Sequence, residues 1–274
     1  MSLRRATICR LMQAVLIASL TAGSAFAQEP FRLFPGARFF LGMESSLLWM
    51  SGEFLVPAGG RPGSGSKVDV ASELGIDQAE GASIFLQGEI LDNHIVNFDY
   101  LGCAATGIKK LPRSFLFHNR TYSEGATLET RVELNWFRLS YEYKIASAPS
   151  WWLAPRVGVH HILCDIQING ESKEGGVTSN SRTLDGTYPV LGFETRWLLP
   201  HGVDLGLELE GTHLVTRGFL FMGRFAAYWE PHPDVRVVLS AWCRGAQYIE
   251  DNQPLNNEWT YVIPGLSAGV AFGF

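Results

Sequence analysis

The ten residues that end the chain constrain its fold more than any other stretch. In Gly265–Phe274, GLSAGVAFGF, the side chains of Leu266, Ala268, Val270, Phe272 and Phe274 fall on one side of an extended backbone. Ser267, Gly269, Ala271 and Gly273 fall on the other. One face is apolar, the other is very small, and the alternation runs to the terminal residue. A strand in a soluble sandwich rarely finishes on an exposed aromatic with only glycine and alanine behind it. A transmembrane strand, with large side chains toward acyl tails and small ones toward a crowded lumen, has this pattern. The competing reading is a hydrophobic edge strand of a soluble all-β domain.

The other end of the chain agrees with export. Arg4, Arg5 and Arg10 form a positive n-region, and Leu11 to Ala22 is an apolar stretch too short to span a bilayer. Ala25-Phe26-Ala27 supplies a small-x-small cleavage pattern, so residues 1–27 read as a signal peptide cleaved after Ala27. Residues 28–36 read as a short periplasmic tail and 37–274 as one β-barrel domain. No later run of apolar, uncharged residues is long enough for a transmembrane helix. Loss of the three n-region arginines moves the formal charge from −5 to about −8, a balance that argues against nucleic-acid binding. The chain has 29 glycines and 8 tryptophans with only 18% charged residues, which fits many strands carrying aromatic girdles. Cys103, Cys164 and Cys243 remain after cleavage. They are odd in number and lack CxxC spacing, so they read as buried small hydrophobes, with a Cys103–Cys164 bridge left open by the oxidising compartment.

Period-2 alternation and turn residues divide the chain into ten strands. The predicted ranges are Ala37–Ser51, Ala82–Leu91, Ile95–Gly107, Gly125–Ile145, Trp151–Ile168, Arg182–Leu198, Val203–Leu214, Gly218–Trp229, Val235–Tyr248 and the terminal strand after Glu258. The stretch from Gly52 to Gly81, including GGRPGSGSK, reads as a flexible, exposed loop, and a second long loop carries a β-extension at Ser114 to Asn119. In the fourth strand Leu128, Val132, Leu134 and Trp136 share one parity, whereas Phe137, Leu139, Tyr141 and Tyr143 take the other. That switch predicts a β-bulge, with a turn at Asn135-Trp136 as the rival. Short connections (DNH, SAPS, LPHG, EPHPD) alternate with long ones, as periplasmic turns alternate with extracellular loops. The expectation is an all-β, antiparallel, up-and-down transmembrane barrel of ten strands, with eight as the alternative.

Inward parity then selects the lumen. It assigns Glu44, Glu89, Asp99, Glu129, Glu133, Glu194, Glu208 and Glu210 to the interior, with Arg131, Arg196, Arg224, Arg236 and Arg244 and also Arg138 and Arg156. A barrel this narrow is barely wider than its side chains, so the two signs should pair into a plug. A continuous water-filled pore is the alternative. No catalytic, cofactor or metal constellation emerges. Glu210-Gly-Thr-His213 departs in residue and spacing from the Asp-x-His of omptin proteases. His160 and His161 have no serine two positions away, as a lipid-modifying hydrolase would need. His161 and Asp165 stand roughly 13 Å apart on one strand face, too far to act together.

The terminal AGVAFGF resembles the C-terminal signal of bacterial outer-membrane β-barrels. With the signal peptide and alternating strands, nearly the whole mature chain resembles the OmpA-, OmpX- and OmpW-like superfamily. That resemblance implies a place in the bacterial outer membrane among lipid and lipopolysaccharide. It also implies recognition of Leu266, Ala268, Val270, Phe272 and Phe274 by the barrel-assembly machinery. Relatives of this kind serve as anchors, adhesins or narrow channels, so a structural or surface-display role without cofactor is expected, with a porin-like channel second and a lipid-modifying enzyme third.

Overall fold

Alternation carried through the chain produces long strands that have nowhere to end but in each other. A computed structural model describes residues 37–55, 65–91, 93–117, 120–171, 176–214, 218–249 and 258–274. The signal peptide, its cleavage site and the tail to residue 36 lie outside the described residues, as do 56–64 of the first loop and the link 215–217. Ten strands form the wall: β1 (Arg38–Trp49), β2 (Gln78–Ile90), β3 (His94–Lys110), β4 (Thr127–Tyr143) and β5 (Trp151–Glu171). The circuit continues through β6 (Val177–Leu199), β7 (Val203–Leu214), β8 (Gly218–His232), β9 (Val235–Ile249) and β10 (Glu258–Gly273). Each is antiparallel to the next, and β10 returns to β1 from Phe40↔Gly273 to Leu48↔Gly265. The ring therefore closes with ten strands, not eight. Closure removes the free edges that an open sheet in lipid could not tolerate.

The outer surface has one tall apolar belt. Leu41, Met43, Ile84, Phe98, Leu139, Val157, Leu191, Phe225, Leu239 and Leu266 are exposed on it. Tyr143, Trp151, Trp197, Trp229 and Phe274 ring its lower margin, at the end that holds the short turns. So much contiguous apolar surface is stable only against lipid, and the aromatic ring marks an interface. The terminal strand follows its expected parity, with Leu266, Phe272 and Phe274 on the outer face, while Val270 on the same face is covered by its neighbours. No helix among the described residues is long and apolar enough to cross a membrane.

β4 corrects one expectation. Its register with β3 and β5 is continuous, from Lys110↔Thr127 to His94↔Tyr143 on one side and from Gly170↔Leu128 to Arg156↔Glu142 on the other. There is no bulge and no turn at Asn135-Trp136. Leu128, Val132, Leu134 and Trp136 are buried inside, and Phe137, Leu139, Tyr141 and Tyr143 lie outside on the same unbroken alternation. The parity appears to switch because the surroundings do. Near Trp136 the outside changes from lipid to water, and the inside changes from charged to apolar. Glu129, Arg131 and Glu133 consequently face outward above the belt, where Arg131 and Glu133 pair at 2.5 Å, both more than 40% exposed.

Above the belt the barrel is filled like a soluble protein. Leu48, Phe54, Leu101, Leu128, Leu134, Trp136, Ile162, Ile166, Leu184, Tyr188, Trp242, Trp259 and Tyr261 belong to one apolar core. The first long loop contributes to it and is not the exposed linker its composition suggests. Ser51–Leu55 pairs with the top of β10, and Lys67–Asp69 pairs with Ser51–Leu55. Val68, Val70, Leu74 and Ile76 are buried. The turn after Asp69 is capped from both sides. Asp69 Oδ1 accepts from the Ser72 amide, and Glu73 accepts from the Asp69 amide at 2.9 Å. The second loop holds a hairpin of Phe115–Phe117 and Arg120–Tyr122, matching the expected extension, and buries Phe115, Phe117 and Tyr122 on the core. Cys103 and Cys164 are free and flank Leu134 on β3 and β5. Two strand spacings, roughly 10 Å, separate their backbones, so they do not bridge.

Candidate functional site in the barrel lumen

Below the apolar core the interior becomes a lattice of ions. Six arginines (Arg138, Arg156, Arg196, Arg224, Arg236 and Arg244) face six acids (Glu44, Asp99, Glu142, Glu194, Glu208 and Glu210). Alternation on eight of the ten strands brings them inward, and closure brings them together. Arg156 on β5 is the hub. Its Nη2 donates to Glu142 at 2.6 Å and to Glu194, and its Nη1 donates to Glu208 at 2.9 Å and to Glu210. Arg138 reaches the same two β7 acids, at 2.9 and 3.3 Å. Arg224 ties Glu44 on β1 to Glu208, and Arg244 binds Asp99 at 3.0 Å.

Toward the lower mouth the lattice loosens. Arg196 donates to Glu194 at 2.6 Å and stacks on Tyr228 at 4.2 Å. Arg236 lies 3.8 Å over the Phe40 ring and donates to Gln87 and to Glu230, each at 2.6 Å. Arg38 also reaches Glu230, at 3.1 Å, and Glu89 stands 3.9 Å from Lys144. Desolvation of a single ion here would cost several kcal/mol or more, and the lattice offsets it only while every partner is present.

His160 caps the lattice beneath the apolar core. Trp136 Nε1 donates to its Nδ1 at 2.9 Å, and its Nε2 lies 2.6 Å from Glu210 Oε2. An indole nitrogen only donates, so Nδ1 must be bare and the proton must sit on Nε2. The imidazole is therefore neutral. His161 points outward to Thr187 at 2.9 Å, and His213 is exposed on the face of β7 opposite Glu210.

The inward parity of Glu44, Asp99, Glu194, Arg196, Glu208, Glu210, Arg224, Arg236 and Arg244 thus places them in one connected set, with Glu89 at its mouth. Glu129, Arg131 and Glu133 do not belong to it. Glu142 and His160 do, and sequence reading missed them; Gln87 and Asn97 also belong, on the inward parity that alternation gives them. The signal for Glu142 was present, since Tyr141 and Tyr143 on the outside force it inward. For His160 it was hidden by the adjacent His161. Among the described residues no trio of His, Cys, Asp or Glu is spaced to hold a metal ion.

No family model matches the chain, and no curated protein matches it either. Solved structures do. The outer-membrane protease OmpT of Escherichia coli superposes with a TM-score of 0.51 at 12% identity, covering 90% of this chain and 99% of that one. The fold is that of a bacterial outer-membrane β-barrel. The translocator domain of the autotransporter NalP from Neisseria meningitidis is also similar, with a TM-score of 0.46 at 11% identity over 98% of this chain and 97% of that one. The attachment invasion locus protein Ail of Yersinia pestis has a TM-score of 0.32 at 11% identity, covering 85% and 99%. At 12% identity the OmpT superposition establishes architecture alone and leaves the chemistry to the residues described above.

Proposed function

We propose that this barrel is a non-enzymatic protein of the bacterial outer membrane, closed to solutes, that presents its upper wall and loops at the cell surface. The observation that carries this reading is the double closure of the lumen. A lattice of six arginines and six acids fills the membrane segment, and an apolar core under a loop cap fills the segment above it. A pore needs a continuous wetted path, and among the described residues paired ions and packed apolar side chains take up the positions that would line one. Lipid and lipopolysaccharide are the partners of the apolar belt. The outward series Leu266, Ala268, Val270, Phe272 and Phe274 is the segment offered to the barrel-assembly machinery. Liposomes carrying the refolded protein should not swell in isotonic arabinose or glycine faster than empty ones. Size-dependent swelling would replace this reading with a narrow channel. The protease activity named for the E. coli neighbour is the enzymatic rival, and it predicts cleavage of quenched-fluorescence peptides by the purified barrel, where we expect none.

A further inference from the structure

We propose that a groove in the outer wall, crossing β10, β1, β2, β3 and β4, holds one phospholipid whose headgroup carries a primary ammonium group. Its floor is a row of small residues in register across the sheet. Ala268 pairs with Ser45, Ser45 with Ala82 and Ala82 with Gly102, and Asn135 stands beside Gly102 at the end of the row. Leu47 and Leu266 bound the β1–β10 end, Tyr100 lies along the lower side, and Glu80, Glu133 and Asn135 bound the end toward β4. The groove encloses about 830 Å³. Four strand spacings make the row about 19 Å long.

The row is not level with the membrane. It runs across strands that tilt by about 35–45° in a barrel of this kind, so one end stands about 12 Å higher than the other. The outer side chains show which end is the higher. On β1 and β10 they are still apolar at Leu47 and Leu266, whereas on β4 they turn polar at Asn135 and Glu133, directly above Phe137. The groove therefore begins among acyl chains, continuous with the apolar belt at Met43 and Ile84, and ends in the headgroup layer. An amphiphile of the membrane runs the same way. The groove is also built in advance. A Cβ at Gly102 would lie 2.7 Å from the Tyr100 hydroxyl, so the glycine lets that side chain fold over it. The hydroxyl donates to Asn135 Oδ1 at 2.7 Å, and the Tyr100 ring packs on Phe137 with centroids 4.9 Å apart.

Charge at the upper end selects the headgroup. Glu80 and Glu133 lie in one row on either side of Ala104, two strand spacings or about 10 Å apart. Arg131 stands 2.5 Å from Glu133. Two carboxylates against one guanidinium favour a zwitterion, with its ammonium group toward Glu80 and its phosphate toward Arg131, and disfavour a purely anionic head. A second copy of the chain does not fit. A twofold axis along the membrane normal sets each height against the same height, which places groove over groove and leaves the space unfilled. The inference rests on the belt facing lipid and is independent of whether the lumen conducts.

The refolded barrel in phosphatidylcholine vesicles, doped with a phospholipid bearing a photoreactive group on its acyl chain, provides the test. One preparation carries the ethanolamine headgroup and the other the anionic glycerol headgroup. Crosslinked peptides are mapped by mass spectrometry, with the belt on β5–β8 as the reference. The ethanolamine lipid should label 41–47, 82–84 and 266–268 about three- to fivefold more than the reference, and the glycerol lipid should not. Ala82→Phe, which fills the groove, should lower that labelling to the reference while heat-modifiable migration shows a folded barrel. Glu80→Gln together with Glu133→Gln should leave the groove open and abolish the distinction between headgroups. Even labelling around the belt by the ethanolamine lipid, or equal enrichment of both lipids, would overturn the proposal. A belt that neither lipid labels would overturn the lipid-facing reading as well.

Discussion

Arg156 is the single side chain on which most of the lumen depends. It touches carboxylates from three strands, Glu142 on β4, Glu194 on β6 and the β7 pair Glu208 and Glu210. Arg156→Met keeps the volume and removes the cation, leaving buried acids uncompensated. The expected loss is about 3–5 kcal/mol, seen as a lower urea midpoint in vesicles, against about 0.5 kcal/mol or less for the exposed Arg131→Met. The cap offers a separate test outside the membrane. Burial pushes the Glu73 carboxyl up, but the hydrogen bond from Arg113 at 2.5 Å, the Asp69 amide and the Arg113 charge outweigh it, and the net shift is downward. A carboxylate held below its unfolded value, about 4.3, stabilises the cap above that pH and ceases to do so as pH falls through the folded value. Protease cutting within 65–77 should therefore increase between pH 5 and about pH 3, and Glu73→Gln should already show the increase at neutral pH. Nothing in the composition of GGRPGSGSK pointed to this cap. Its hydrophobic residues come after the glycine-rich part, spaced by a capped turn and not by a strand or helix period.

At the scale of the element, β4 shows what alternation does and does not encode. Which residues share a face was legible within each half of β4 and along the other strands, because the side-chain period of a strand is 2, but the predicted bulge split β4 in two. Which face is the lumen was legible only while the outside is lipid. Above the belt the outside is water and the inside is an apolar core, so Glu129, Arg131 and Glu133 have the hydrophobicity of lumen residues and the position of surface residues. In a background without the other cysteines, Glu133→Cys should react with a membrane-impermeant maleimide on intact cells, while Leu134→Cys and Leu139→Cys should not. Protection of Glu133→Cys with labelling of Leu134→Cys would restore the bulge and invert the strand. The lengths of β5 and β6 follow from the same principle. Their upper parts continue the alternation with polar residues outside, Asp165, Gln167 and Asn169 on β5 and Ser179, Ser181 and Thr183 on β6, which a search for lipid-facing residues ends too early.

Over the whole molecule, the ring closure was legible from its last ten residues, and the stacking of two different interiors was not. A charged storey and an apolar storey share one wall. The boundary between them, near Trp136 and His160, is set by side chains contributed from several strands and by no local motif. The two storeys make the same functional demand, that nothing passes. Single-channel recording of the refolded barrel in planar bilayers, in symmetric salt, tests that demand most directly. The account predicts silence from the intact protein, with heat-modifiable migration proving it is folded, and steps only after Arg156→Ala or a similar breach of the lattice. Stable conductance steps from the unaltered barrel, with selectivity that changes on substituting Arg224, Arg236 or Arg244, would contradict it.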